Sequence, residues 1–544
     1  MSLLELRDLR LSIGPYPIVK GVTLALEPGK ILGIIGESGS GKTMTALSIM
    51  NLLPRGASLS GSIRLDGDEL IGRPERQMCD IRGRRIGMVF QEPMTALDPL
   101  KTIGEQVAET ILIHGAMTRT NALAEAGRIL TRVGLPADRF PRSRYPHELS
   151  GGQRQRVVIA IAVAMKPQLL IADEPTTALD VTTQAHILDL LRQLVAEDGM
   201  GLIFITHDLG VVAGLADDLV VMRHGEVVEA GPTARVFRDL SHPYTRQLFE
   251  ASSHLPPRDP SLPGGPSVLE VSNVVRDYRI PPRRLFGKAG TFRAVDNVSF
   301  RIERGENLGL VGESGSGKST LARALMALDP VQGGRIVLDG VPLDGDDRTA
   351  RRKLQVVFQD PYGSFDPRQR VETLITEPFH LLGRDAPVGE ARQQRIATAL
   401  TNVGLAPDDA HKYIHEFSGG QRQRIAIARA LIIEPKLIVL DEAVSALDVS
   451  IRAQILDLLA ELSDRLEISY LFISHDLSVV RSITDRVLVM QNGRIVESGP
   501  TADIFANPQH PYTRALIAAT PNLERALAGR GNPPADAGTR LHFL

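Results

Sequence analysis

Gly36-Glu37-Ser38-Gly39-Ser40-Gly41-Lys42-Thr43 returns later in the chain as Gly312-Glu313-Ser314-Gly315-Ser316-Gly317-Lys318-Ser319, and the rest of the 544 residues repeats around these two octets. Both fit G-x-x-x-x-G-K-[ST], a pattern whose backbone N–H groups cradle phosphate oxygens. Each follows an apolar run, Ile31 to Ile35 and Leu308 to Val311, and each opens a stretch with helical periodicity. Strand, loop and helix in that order are the context in which the pattern has meaning. One such octet could be coincidence, but two near-identical copies are not.

Outward from the octets, Gln91 and Gln359, Ser150 and Ser418, Glu174 and Glu442, His207 and His475, and His242 and His510 all lie 268 residues apart. The two lysines lie 276 apart, so the second copy is eight residues shorter between its octet and its glutamine. The shortening falls among polar, glycine-rich segments such as Ser60 to Gly67, where hairpin loops are expected to tolerate length changes. The repeats give two domains, 1–255 and 268–525, joined by a proline-rich linker at 256–267 and followed by a mobile tail at 526–544. Within each repeat, short apolar runs alternate with helical patterns, which predicts an α/β layer architecture with a mainly parallel sheet. Residues 92–148 and 360–416 read as helical lobes.

Composition narrows the function. Sixty-two basic against 64 acidic residues leave a net charge of -2, without the basic footprint of a nucleic-acid-binding domain. Cys79 is the single cysteine, so the chain alone cannot build a disulfide framework or a four-cysteine metal site. Neither an export signal nor an apolar run of about 18 residues is visible, so the chain is not expected to cross a membrane by itself.

In the octets, Lys42 and Lys318 are placed to meet the β and γ phosphates, and the Thr43 and Ser319 hydroxyls to serve Mg²⁺, although helix capping is a blander role for them. The runs ending at Asp173-Glu174 and Asp441-Glu442 deliver adjacent carboxylates to the C-terminal edge of a sheet. Successive residues on a strand point opposite ways, so one carboxylate can hold the metal shell while the next orients an attacking water. Ser150-Gly151-Gly152-Gln153 and Ser418-Gly419-Gly420-Gln421 each run into a helix and form a second anion-binding turn. Since each repeat already holds a complete phosphate cradle, this turn must serve something else.

Taken together, the octet, Gln91, the Leu149-Ser-Gly-Gly-Gln153 stretch, Asp173-Glu174, Ala178-Leu-Asp180 and Thr206-His207-Asp208 resemble the nucleotide-binding domain of ATP-binding cassette (ABC) proteins, over nearly all of both repeats. The resemblance implies two P-loop NTPase domains, each with a RecA-like core, an N-terminal antiparallel β subdomain and an α-helical subdomain. It implies ATP and Mg²⁺ as ligands and head-to-tail pairing of the two halves. Carried over residue by residue, Ser418 to Gln421 complete the site begun at Lys42, and Ser150 to Gln153 the one begun at Lys318. Gln91, Asp173, Gln359 and Asp441 join Thr43 and Ser319 around the metal. Glu174 and Glu442 are the catalytic carboxylates, and His207 and His475 the γ-phosphate histidines. Asp180 and Asp448 match the loop that crosses the family's dimer interface. Tyr278 matches the adenine-stacking aromatic; the first copy has Ile13 there, with Tyr16 as a candidate substitute. Phe417 for leucine and Ala443 opposite Pro175 remove no chemical group, so both sites are expected to hydrolyse ATP.

Two features bear on which member of the family this is. Ser241-His242-Pro-Tyr244-Thr245-Arg and Gln509-His510-Pro-Tyr512-Thr513-Arg are adequately read as turns with a buried aromatic, and they also resemble the C-terminal segment of ATPases from oligopeptide, dipeptide and nickel importers. A basic insertion from Tyr278 to Arg293, present only in the second copy, reads as a solvated hairpin or as a contact for lipid headgroups or a permease. The resemblance therefore implies an importer's fused ATPase pair at the cytoplasmic face of the inner membrane, working with two integral membrane permeases and an extracytoplasmic solute-binding protein. Dipeptides, oligopeptides, glutathione and related small solutes all fit as cargo. The competing class is a soluble tandem ABC ATPase acting on ribosomes or nucleic acid; the short linker and single cysteine argue against it.

Overall fold

A computed structural model describes residues 2–529 except 116, 178, 258–264, 281–289, 344–347, 361–362 and 446. Most of the proline-rich linker, the core of the basic insertion and residues 530–544 of the tail thus lie outside the described residues. The chain divides into two compact units. One comprises Met1–Leu179, Thr183–Ser252 and the described part of Pro521–Leu544; the other comprises Asp180–Thr182 and Ser253–Thr520.

Each unit carries two sheets. In the first, strands Tyr16–Leu26, Leu4–Ile13, Ala57–Leu65 and Asp68–Glu69 form an antiparallel sheet in that spatial order. Alternation along Leu4–Ile13, reset by a bulge at Arg7 and Asp8, sends Leu4, Leu6, Leu9 and Leu11 into the core and charged residues outward. The second sheet has six strands in the order Glu226–Pro232, Asp218–Arg223, Ile31–Ile35, Gly201–Ile205, Leu169–Asp173 and Ile86–Val89. Its five inner and far strands are parallel, and only the Glu226–Pro232 edge is antiparallel. Ile31–Ile35, Leu169–Asp173 and Gly201–Ile205 are buried throughout. That is why they read as unbroken apolar runs: a parallel sheet is covered on both faces.

The second unit repeats this plan. Gly290–Glu303, Ser267–Ile280, Gly333–Leu338 and Val341–Pro342 form the antiparallel sheet, and Leu354–Val357, Leu437–Asp441, Ser469–Ile473, Asn307–Val311, Arg486–Gln491 and Arg494–Pro500 the mixed one. The helical lobes differ more. Residues 103–132 form two long helices, Ile103–His114 and Arg119–Arg132, whereas their counterparts are the short Val371–Ile375, two 3₁₀ turns and Gly389–Asn402.

Two expectations need correction. The segment Ser60 to Gly67 is not mainly loop: most of it belongs to the nine-residue strand Ala57–Leu65, whose counterpart Gly333–Leu338 has six residues, so part of the shortening comes out of a strand. The chain beyond 525 does not begin as a mobile tail either, because Leu523–Gly529 is a helix with Leu523, Ala526 and Leu527 packed on the first unit's core. Asn522 caps it by accepting from the Arg525 N–H at 2.7 Å.

Candidate functional site

Parallel order puts the C-terminal ends of Ile31–Ile35, Leu169–Asp173 and Gly201–Ile205 at one edge of the first unit's sheet, and the chain leaves that edge through the octet, the carboxylate pair and His207. Gly36 starts the octet at φ 151°, where a Cβ would lie 2.2 Å from the Met222 carbonyl oxygen, so only glycine allows the loop to leave so close to the neighbouring strand. Gly41, at φ 98°, caps the helix Lys42–Ile49. The Lys42 ammonium is buried and donates to Gly36 O at 2.6 Å and Glu37 O at 2.9 Å. Lys318 does the same to Gly312 O (2.7 Å) and Glu313 O (2.9 Å), and burial lowers its pKa. Both lysines thus lie folded back along their own loops.

The carboxylate pair departs from strand alternation. Asp173 ends its strand, but Glu174 has φ 47° and its counterpart Glu442 φ 51°, the left-handed region that bulky residues avoid. Both keep a sheet hydrogen bond, from Glu174 N to Ile205 O and from Glu442 N to Ile473 O, each 2.9 Å. The main chain, rather than the pleat, therefore aims these side chains. Glu174 Oε1 lies 3.4 Å from His207 Nδ1, while its Oε2 accepts from Gln91 Nε2 at 3.0 Å and Thr177 Oγ1 at 2.9 Å. Burial disfavours the charge, yet His207 and Thr177 outweigh it and hold the carboxyl down at about 2. In the second unit His475 Nδ1 is 3.1 Å from Glu442 Oε1. Burial opposes both charges there, but each partner stabilises the other, lowering the Glu442 pKa and raising that of His475. Ser445, the counterpart of Thr177, donates instead to the Glu442 backbone oxygen at 2.9 Å.

Asp173 behaves oppositely. It is 3% exposed, and burial, opposed by the Thr43 hydroxyl and reinforced by Glu174, raises its pKa to about 6. Asp441 is raised for the same leading reason. Asp173 Oδ1 is buried without a hydrogen-bond partner among the described residues. A buried, unpartnered carboxylate oxygen beside a threonine hydroxyl suits a hard cation that takes oxygen ligands and retains waters. No group of three or more His, Cys, Asp or Glu side chains able to hold a metal occurs among the described residues, so such an ion would depend on Thr43, Asp173, waters and the nucleotide's own oxygens.

Ser150 caps the helix Gly151–Val163 in a closed box: its hydroxyl accepts from Gln153 N and the Gln153 carboxamide accepts from Ser150 N. Ser418 and Gln421 repeat it. The third residue must be glycine, since a Cβ would lie 2.2 Å from Thr183 Cγ2 at Gly152 and 2.6 Å from Ile451 Cγ2 at Gly420. Gly419 has nothing within 4 Å of a Cβ position, which leaves its face open.

At the base position, Arg276 lies over the Tyr278 ring at 4.5 Å, and the Tyr278 hydroxyl donates to Asp329 at 3.2 Å. In the first unit, Ile13 pairs in register with Tyr16, which is 71% exposed. Directly opposed residues share a face, so Tyr16 lies beside Ile13 on one exposed side of the strand pair. Gln359 and Asp441 border a cavity of about 760 Å³ in the second unit, walled by Phe358, Glu377, His380 and Arg429. Two contacts escaped the sequence reading: Thr177 on Glu174, and the Tyr244 and Tyr512 hydroxyls on the octets. Only the His-Pro-Tyr repetition hinted at the second.

The chain matches the ABC transporter family model over residues 19–177 and 295–445, and the model of the oligopeptide/dipeptide transporter C-terminal region over 228–272 and 496–540. It is 47% identical to the glutathione import ATP-binding protein GsiA of Salmonella typhimurium, over 92% of this chain and 86% of the relative. The protein of that name from Escherichia coli is also 47% identical, over 93% of this chain and 87% of the relative. Among solved structures, a dimeric ATP-binding cassette in a post-hydrolysis state with ADP and Pi is 29% identical over 43% of this chain and 98% of its own, with a TM-score of 0.38.

Proposed function

We propose, from the premise that this chain belongs to the ABC transporter family as two ATP-binding cassettes in one polypeptide, that it energises import of a peptide-type solute, with glutathione the first to test. The reading is carried by the double match to the oligopeptide/dipeptide C-terminal region in a chain so similar to glutathione import ATPases. The chain is an ATPase coupled to import, and no helix among the described residues is long and apolar enough to cross a membrane. In this reading it is held at the cytoplasmic face by two permease subunits, and a solute-binding protein selects the cargo. The cavity beside Gln359 is a fitting seat for a permease helix, since movement there would reach Asp441 directly.

In each half, the loop N–H groups and the lysine take the nucleotide's phosphates. Thr43 with Asp173, and Ser319 with Asp441, would hold Mg²⁺, joined by Gln91 and Gln359; the ion would supply charge neutralisation at the β and γ oxygens. Glu174 orients and polarises the attacking water, with His207 beside it for the γ-phosphate. Ser418 to Gln421 complete the site of Lys42, and Ser150 to Gln153 that of Lys318, so ATP draws the halves together and hydrolysis parts them. Reconstitution of the full chain with both permeases and the binding protein in lipid vesicles tests the reading. Glutathione or dipeptide uptake with stimulated ATPase is expected; stimulation by ribosomes, with none by the permeases, would overturn it.

A further inference from the structure

The His-Pro-Tyr segments remain unused by the chemistry above, yet in both units they end on the phosphate loop. Tyr244 is buried, and its hydroxyl accepts the Glu37 N–H at 3.0 Å; Tyr512 accepts the Glu313 N–H at 2.8 Å. These N–H groups belong to the peptide units whose carbonyls, Gly36 O and Gly312 O, accept from Lys42 and Lys318. One peptide plane is therefore held at both ends, by a lysine on its oxygen and a phenol on its nitrogen.

The phenol is itself rigidly mounted. Glu229 accepts from Ser241 N (3.0 Å) and His242 N (3.1 Å), and His242 Nδ1 caps the next helix by accepting from Tyr244 N at 3.1 Å. Glu497, Gln509, His510 and Tyr512 reproduce this with distances of 2.7, 3.1 and 3.2 Å. Proline at the first helical position fixes the turn without losing a needed N–H. In the first unit the Arg223 guanidinium also sits 4.7 Å over the Tyr244 ring. Burial lifts both phenols to about 12, so they stay protonated across the working range.

We propose that Tyr244 and Tyr512 are positioning residues for ATP: each fixes the first peptide plane of its half's phosphate loop, so that the loop is already in its binding shape when nucleotide arrives. When ATP binds, the lysine exchanges its carbonyl partners for phosphate, and the tyrosine becomes the contact that keeps the plane from turning. The advantage is preorganisation, which is felt in binding more than in the chemical step. The proposal rests on the two octets being the nucleotide sites.

The test uses the full chain with Tyr244→Phe, Tyr512→Phe and both, each measured for ATPase kinetics and for hydrogen exchange in peptides spanning 36–43 and 312–319. Losing one net hydrogen bond predicts a KM for MgATP raised about two- to tenfold in the double variant, with kcat little changed. Exchange should quicken in the loop of the altered half alone, a local signature that general destabilisation does not produce. Unchanged KM with unchanged loop exchange would overturn the proposal, as would faster exchange throughout the unit with KM unaltered. If the double variant does not fold, the singles carry the test, each with its unaltered half as reference. Lys42→Ala with Lys318→Ala separates the two levels: nucleotide binding undiminished by it would overturn the octet sites themselves, whatever the tyrosines do.

Discussion

Asp173→Asn is expected to stabilise the nucleotide-free protein at neutral pH while disabling its first site. Burial raises this carboxyl from 3.8 to about 6, so in the fold it ionises about two units later than in the unfolded chain. The sign follows from linkage: below about 4 the group is protonated in both states and costs nothing. Between about 4 and 6 the unfolded chain ionises first, and above about 6 the folded state bears the full cost of a buried charge. At 1.36 kcal/mol per unit, that cost is about 3 kcal/mol. Asparagine has no charge to bury and keeps an oxygen for the Thr43 hydroxyl. Since domains of about 150–250 residues shift by about 2–4 °C per kcal/mol, the first unit should melt about 6–12 °C higher at pH 7.5 in EDTA, with the gap closing toward pH 4. Mg²⁺ with ADP should reverse the order, because only the aspartate gains a cation. An asparagine variant that melts lower at pH 7.5 in EDTA, or a gap that ignores pH, would refute the reasoning.

Three further outcomes are expected. Glu174→Gln and Glu442→Gln should each lower ATP turnover at least a hundredfold at their own site; full activity with Glu174→Gln and none with Glu442→Gln would mean a single working site. Lys42→Ala and Ser418→Ala should impair one common site, so that their double variant adds little to either; strict additivity in nucleotide binding would refute the composite pairing. Tyr278→Ala and Tyr16→Ala should each weaken ATP binding by about 1–3 kcal/mol in their own half, as loss of a base-stacking partner does. Calorimetry showing no change for Tyr16→Ala would leave the first half without an aromatic base contact.

What could be read from residues alone was local or periodic. Leu169–Asp173 and Gly201–Ile205 were legible because burial on both faces demands unbroken apolar runs, and the octet because its glycines answer to one loop's own backbone. The conformation of Glu174 was not legible, since no pattern of residue types marks a glutamate with positive φ, whereas strand alternation presumes extended backbone. Tyr244 reaches the octet from 207 residues away, and neither spacing nor propensity reports a contact set by how two distant segments pack. Ser60 to Gly67 reads as loop although most of it lies in the strand Ala57–Leu65, because its serines and Gly61 mimic turn composition.

The left-handed backbone at Glu174 and Glu442 has an evolutionary corollary. Glycine relieves that conformation and asparagine or aspartate suit it better than glutamate does, by an amount of order 1 kcal/mol. Selection for folding alone would set that relief against the contacts the glutamates make, Glu174 with His207, Gln91 and Thr177 and Glu442 with His475. One half of such a tandem can fall silent by a single substitution whose backbone relief offsets part of the contacts it removes. In this chain neither half has taken that step.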